Sequence, residues 1–167
     1  VSGSKVTITK CNKSVSGDLT IPSTIAGYPV TTIGYQAFYG CTTLTSVTIP
    51  SSVTTIENGA FGNCVKMTSV TIPDSVTSIG NSVFSNCSVL TSVTIPNGIT
   101  AIGMDMFSYC KALTSVNIPN SVTTIDINAF CACTSLASVT IPNSVTSINR
   151  NAFYLCSALT SIDIPNS

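Results

Sequence analysis

Residues Cys87 to Tyr109 read CSVLTSVTIPNGITAIGMDMFSY, and the same pattern restarts at Cys41, Cys64, Cys110, Cys133 and Cys156. Each start lies 23 residues after the one before it. Six cysteines, six phenylalanines and six strands ending in Pro therefore stand in register. Around Cys64, Phe61, Cys64 and Met67 are three apart, which puts them on one side of a helical turn and predicts a short helical or 3₁₀ segment. Val70 and Ile72 are two apart, the period of a strand with both side chains inward. Pro73 has no N–H to give a ladder and ends that strand. Val76 and Ile79 mark a corner and a second short extended stretch, and Gly80 follows at a place suited to positive φ. Equivalent sites hold Glu57, Asp126 and Asn149 as well as Gly34 and Gly103, so glycine is not obligatory there.

A unit of this length cannot bury its apolar face alone, whereas stacked units bury one continuous core. Each inward position then becomes a column. Val47, Val70, Val93, Val116, Val139 and Ile162 make one, and Ile49, Ile72, Ile95, Ile118, Ile141 and Ile164 a second. Phe38, Phe61, Phe84, Phe107, Phe130 and Phe153 make a third and use every Phe in the chain. The fold class expected is an α/β repeat solenoid, rich in β, with a parallel strand ladder and short 3₁₀ or helical turns.

The 167 residues suffice for one domain with a sizeable core. Charged residues are only 7%, against roughly a quarter in ordinary soluble domains, and Ser, Thr and Asn replace them. Six basic and six acidic residues cancel. A neutral chain has no long-range means of gripping phosphates, so nucleic acid is not an expected partner. No apolar run approaches the roughly 20 residues of a membrane span, so no membrane insertion is expected. Without His, the commonest general base and metal ligand is missing. No catalytic residues, metal ligands or cofactors are expected. Glu57 and Asp126 share a repeat position but lie three coils apart, roughly 14 Å, too far for a glycosidase pair.

Residues 1–18 read as an N-terminal cap, with an alternating strand at Val6-Thr7-Ile8-Thr9-Lys10. Residues 19–167 read as the solenoid: a long first coil over 19–40, 23-residue coils from 41, and a truncated last one. The extra length of the first coil falls at Thr24-Ile25-Ala26-Gly27-Tyr28-Pro29, where Gly and Pro mark a loop. The chain starts at Val1 with no signal segment, as a processed product or fragment would.

The pattern L-x-x-V-x-I-P-x-S-V-x-x-I-x-x-x-x-F-x-x-C fits the leucine-rich repeat signature, with Leu90, Val93 and Ile95 in its strand positions. It resembles, more narrowly, the BspA-like class of bacterial leucine-rich repeats, which pair Ile-Pro after the strand with Ala-Phe and a Cys three beyond. Ala37-Phe38, Ala60-Phe61, Ala129-Phe130 and Ala152-Phe153 match in full, while Val83 and Met106 replace the Ala in two coils. The signature's Asn is replaced by Ser52, Ser75, Ser121 and Ser144, and once by Gly98; a hydroxyl there would bond the neighbouring coil's backbone. The resemblance implies a right-handed leucine-rich repeat superhelix. It also implies an extracellular or bacterial cell-surface protein that binds a host or neighbouring-cell protein or glycan in adhesion. The alternative is a structural stalk, or end-to-end self-association without a specific ligand.

Six of the eight cysteines occupy one inward column, where equivalent side chains point the same way, so buried free thiols are expected rather than disulfides. Cys11 and Cys131 lie off that column. Two sets of residues are candidate contacts. The outward strand positions are Ser46 and Thr48, Ser69 and Thr71, Ser92 and Thr94, Ser115 and Asn117, Ser138 and Thr140. They carpet one face, the kind of surface solenoids use for binding, yet they also serve strand propensity and solubility. The candidate aromatic anchors are Tyr28, Tyr35, Tyr39, Tyr109 and Tyr154, the type that dominates hot spots.

Overall fold

A computed structural model describes residues 4–164. Extended segments of successive coils pair in parallel at one repeat's separation, so equivalent residues stand side by side. The first ladder joins Gly17–Thr20, Leu44–Thr48, Ser69–Thr71 and Ser92–Val93. A bridge from Thr94 to Asn117 carries it on to Ser115–Asn117 and Ser138–Thr140. Val47 faces Val70, and Val70 faces Val93, as the periodicity requires. The second side falls into two separate sheets: Val6–Ile8, Tyr28–Ile33, Thr55–Ile56 and Ser78–Ile79 in one, and Ala101–Ile102, Thr124–Ile125 and Ser147–Ile148 in the other.

The N-terminal segment gives one strand to each side. Val6–Ile8 pairs with Tyr28–Ile33, and Gly17–Thr20 with Leu44–Thr48. Its Val6, Ile8, Cys11, Val15 and Leu19 lie half-buried against the core. The extra residues of the first coil form a hairpin, Thr24–Ile25 against Tyr28–Pro29. Ala26 and Gly27 make its turn at φ 51° and 81°. Two left-handed residues in a row match the twist of the strands they join.

The third side of each coil departs from the helical expectation. Among the described residues there is no helix of either kind, so the α/β class and the 3₁₀ turns give way to a β-solenoid. The apolar spacing of three is met instead by successive four-residue turns. In the first, the N–H groups of Ala37, Tyr39 and Cys41 fold back on the carbonyls of Gly34, Gln36 and Phe38 at 3.0–3.1 Å. The alternate N–H groups, of Gln36, Phe38 and Gly40, cross to Asn58, Ala60 and Gly62 at 2.8–3.1 Å. A 3₁₀ segment would spend every N–H along its own axis. Here every second one is free to tie the next coil, and left-handed residues turn it that way.

Those residues form two columns. Gln36, Gly59, Ser82, Asp105, Asn128 and Asn151 make one, and Gly40, Asn63, Asn86, Tyr109, Ala132 and Leu155 the other, all at φ between 51° and 70°. The glycine singled out from the sequence is not among them. Gly80 has no positive φ; instead a Cβ there would come within 2.6 Å of the Asn58 amide nitrogen in the preceding coil. Close approach, not handedness, favours glycine at that position.

The core runs the length of the stack. Four of the phenylalanines, Phe61 to Phe130, are fully buried. Successive rings lie 5.1–5.8 Å apart and 3–12° from parallel. That exceeds the spacing of about 4.8 Å between paired strands, so the rings are offset, the favoured stacked geometry. Leu, Met, Val and Ile columns fill the remainder. Phe153 and Ile162 in the last coil are half-buried and Ile164 is exposed, because no further described coil covers them. The serines in the signature's Asn position do bond backward. Ser75, Ser121 and Ser144 donate to the carbonyls of Val53, Ile99 and Val122 at 2.6–2.7 Å.

Candidate functional site

The candidate strand-face residues all lie on the first ladder and, with one exception, are exposed. Ser46 is half-buried and donates to Asp18 Oδ1 at 2.6 Å. That bond, with one from Thr45, holds the Asp18 carboxyl below its ordinary range. The rest of the face is an even Ser/Thr/Asn surface.

The tyrosines behave differently, because the structure brings three of five together. Tyr35, Tyr39 and Tyr109 line one groove of about 710 Å³ on the turn side of the stack. Tyr28 sits apart on the hairpin and Tyr154 in the last coil, both exposed. The groove exists because the turn face is not uniform. Its inner coils carry Gly59, Ser82 and Ser85, while Tyr35 and Tyr39 stand at one end and Tyr109 at the other. Small residues make the floor and aromatic rings the walls. Gly62 has a separate role: a Cβ there would lie 3.0 Å from the Tyr39 ring. Its absence lets that ring rest against the next coil.

Asparagines complete the floor, and the ladder fixes their orientation. Asn58 Oδ1 accepts the N–H of Asn81 at 2.8 Å, and Asn81 Oδ1 accepts the N–H of Met104 at 3.1 Å. With the oxygen held by a backbone donor, the amide nitrogen is turned outward as a donor. Asn63 Oδ1 accepts from Asn86 Nδ2, which leaves the Asn63 amino group and the Asn86 oxygen without a side-chain partner in this pair, both residues lining the groove. None of the lining residues carries a charge. The carboxylate of Glu57, next to Asn58, accepts the Tyr35 N–H at 2.7 Å. Reasoning from the sequence flagged the tyrosines but missed these asparagines. Their signal was present at the 23-residue spacing, Asn58 with Asn81 and Asn63 with Asn86.

The thiols offer little chemistry. All eight are free; six are buried, and Cys11 and Cys131 are half-buried. Burial pushes Cys64 and Cys133 up to about 12 and Cys41 and Cys156 up to about 11. Burial, and then the Asp105 charge, also raises Cys131. That makes it a poor nucleophile at neutral pH. Among the described residues no group of three His, Cys, Asp or Glu is placed to hold a metal ion. No helix among the described residues is long and apolar enough to cross a membrane.

The BspA type leucine-rich repeat region matches residues 11–134 and 101–167, in six copies. The chain belongs to that family. Solved structures similar to this BspA-type solenoid include the leucine-rich repeat protein of T. pallidum, at 29% identity and a TM-score of 0.78. That match covers 93% of this chain and 83% of the other. A leucine-rich cell surface protein from Faecalibacterium prausnitzii is 38% identical, with a TM-score of 0.70 over 93% of this chain. A leucine-rich repeat protein from Bacteroides ovatus is 34% identical, with a TM-score of 0.66 over 89%. This chain spans about half the length of the latter two, 49% and 45%. No curated protein matches.

Proposed function

We propose that this BspA-type solenoid is a non-catalytic adhesion module of a bacterial surface or secreted protein. It contacts a macromolecule of a host or neighbouring cell through its turn face. The groove between Tyr35, Tyr39 and Tyr109 carries this reading. Ligand sites are concave, with volumes of about 300–1,000 Å³; this groove has such a volume, with three tyrosines set around a polar floor. The strand face offers near-repeating hydroxyls, broken by Asn117, which give a partner little reason to choose one register over another. The description of the F. prausnitzii relative as a cell surface protein supports the location. Saturable binding of the purified chain to epithelial cells or to co-resident bacteria tests the reading, with light scattering on the same sample. A monomer that binds saturably supports it. Oligomers growing with concentration and no saturable binding would identify a self-associating stalk instead.

A further inference from the structure

The groove's chemistry narrows the ligand class. We infer that it binds a neutral oligosaccharide, an inference that rests on the turn face being the binding face. Four features of the lining point the same way.

The first is the pairing of aromatic walls with a polar floor. Tyr39 and Tyr109 stand three coils apart, roughly 14 Å at the usual strand spacing. That is the length of a short oligosaccharide rather than of a single ring. Sugar rings present flat C–H faces and a rim of hydroxyls. A Tyr ring covers the apolar face, and its own hydroxyl stays available to bond. A protein anchor would instead need a deep apolar pocket, and the floor here is glycine, serine and asparagine.

The second feature is the fixed direction of the amides. Hydroxyls both donate and accept, so a carboxamide pair matches a vicinal diol well. The Asn58 and Asn81 oxygens are held by backbone N–H groups, so both nitrogens serve as donors. In the Asn63–Asn86 pair one nitrogen and one oxygen remain for a ligand. The donors are ordered before the ligand arrives, which lowers the entropic cost of binding.

The third is charge. The lining has none, and Glu57 accepts the N–H of the lining residue Tyr35. The Lys13 amine lies near Gly40, outside the lining, so the lining residues themselves offer a sulfated or sialylated sugar no cation. The fourth is the setting of Tyr39, whose ring lies against the Gly62 backbone. The ring is held by packing on the neighbouring coil rather than by a partner.

The chain has no Trp, so its intrinsic emission comes from five tyrosines, three of them in the groove. Titration with neutral linear hexose oligosaccharides should change that emission saturably, while the sulfated or sialylated forms should bind at least tenfold more weakly. Tyr39→Ala and Tyr109→Ala should each weaken binding at least tenfold, with melting temperature monitored to show the stack intact. Gly62→Ala should weaken it too, by lifting the Tyr39 ring, while Tyr28→Ala on the hairpin should leave it unchanged. Binding unaffected by the groove variants would overturn the inference. So would failure of every neutral oligosaccharide in the panel. If the chain nonetheless bound cells and lost that binding in Tyr39→Ala, the turn face would stand as the adhesive face and the sugar assignment alone would fall.

Discussion

Five of the six interior thiols, all but Cys41, lie one coil beyond a phenylalanine and donate to its backbone carbonyl. Cys64, Cys87, Cys110, Cys133 and Cys156 reach Phe38, Phe61, Phe84, Phe107 and Phe130 at 3.1–3.3 Å. A thiolate cannot donate, so it would face that carbonyl's lone pairs in a site without water. An unburied thiol titrates near 9.0, whereas burial raises Cys64 to about 12. Between those values the unfolded chain releases a proton that the native chain keeps. Stability is therefore fully present below pH 9 and declines as pH rises toward 12, by up to about 1.4 kcal/mol per pH unit for Cys64. Denaturant midpoints should hold steady near neutrality and fall steeply above pH 9; a midpoint constant through that window would contradict the buried column. Phe84→Ala should cost about 3–5 kcal/mol, the range for emptying a close-packed aromatic site. Ser92→Ala, on the exposed face, should stay within about 0.5 kcal/mol. Similar melting temperatures for the two would mean that inward and outward positions are exchanged.

Strands and turns differ in how openly the sequence declares them. The alternation of Val70 and Ile72 up to Pro73 has one reading, because a period of two on a β-branched stretch fits nothing else. Phe61, Cys64 and Met67 fit a helical turn equally well, since a chain of four-residue turns also returns a side chain to the core every three residues. The distinguishing sign was the left-handed column, but Gln36, Ser82, Asp105 and Tyr109 fill it beside Gly59 and Gly40, so composition hid it. The energy for holding these side chains at positive φ, about 1–2 kcal/mol each, is offset by N–H bonds between coils that a helix would forgo. The same inter-coil accounting makes a prediction at Gly98. Its counterparts Ser75, Ser121 and Ser144 donate to the previous coil, and Gly98 leaves the Val76 carbonyl without that donor. Gly98→Ser should restore the bond and stiffen the unfolded chain less expensively than glycine does, raising stability by about 1 kcal/mol. An added Cβ meets Thr77 Cγ2 at 3.1 Å, so a drop in melting temperature would show that this threonine cannot yield.

At the scale of the whole molecule, the stack is legible from its repeat and the site is legible only from its exceptions. Columns that never vary, such as Phe84 and Cys87, specify the core and carry no information about a partner. The groove arises where neighbouring coils break the repeat, with Tyr39 above Gly62 and Tyr109 beyond Asn86. No single coil shows it, because a depression is a property of three or four coils in register. The tyrosines were visible as candidate anchors, but which of them converge depended on turn geometry that the spacing did not reveal. The account accordingly assigns adhesion to the turn face rather than to the even hydroxyls of the strand face. The most direct measurement compares cell binding by two double variants of matched stability. One removes Tyr39 and Tyr109, both to Ala; the other sets Lys at Ser92 and Thr94 on the strand face. The account predicts at least tenfold weaker binding for the tyrosine pair and unchanged binding for the lysine pair. Loss of binding in the lysine pair, with the tyrosine pair unaffected, would contradict it and move the binding face to the strand ladder.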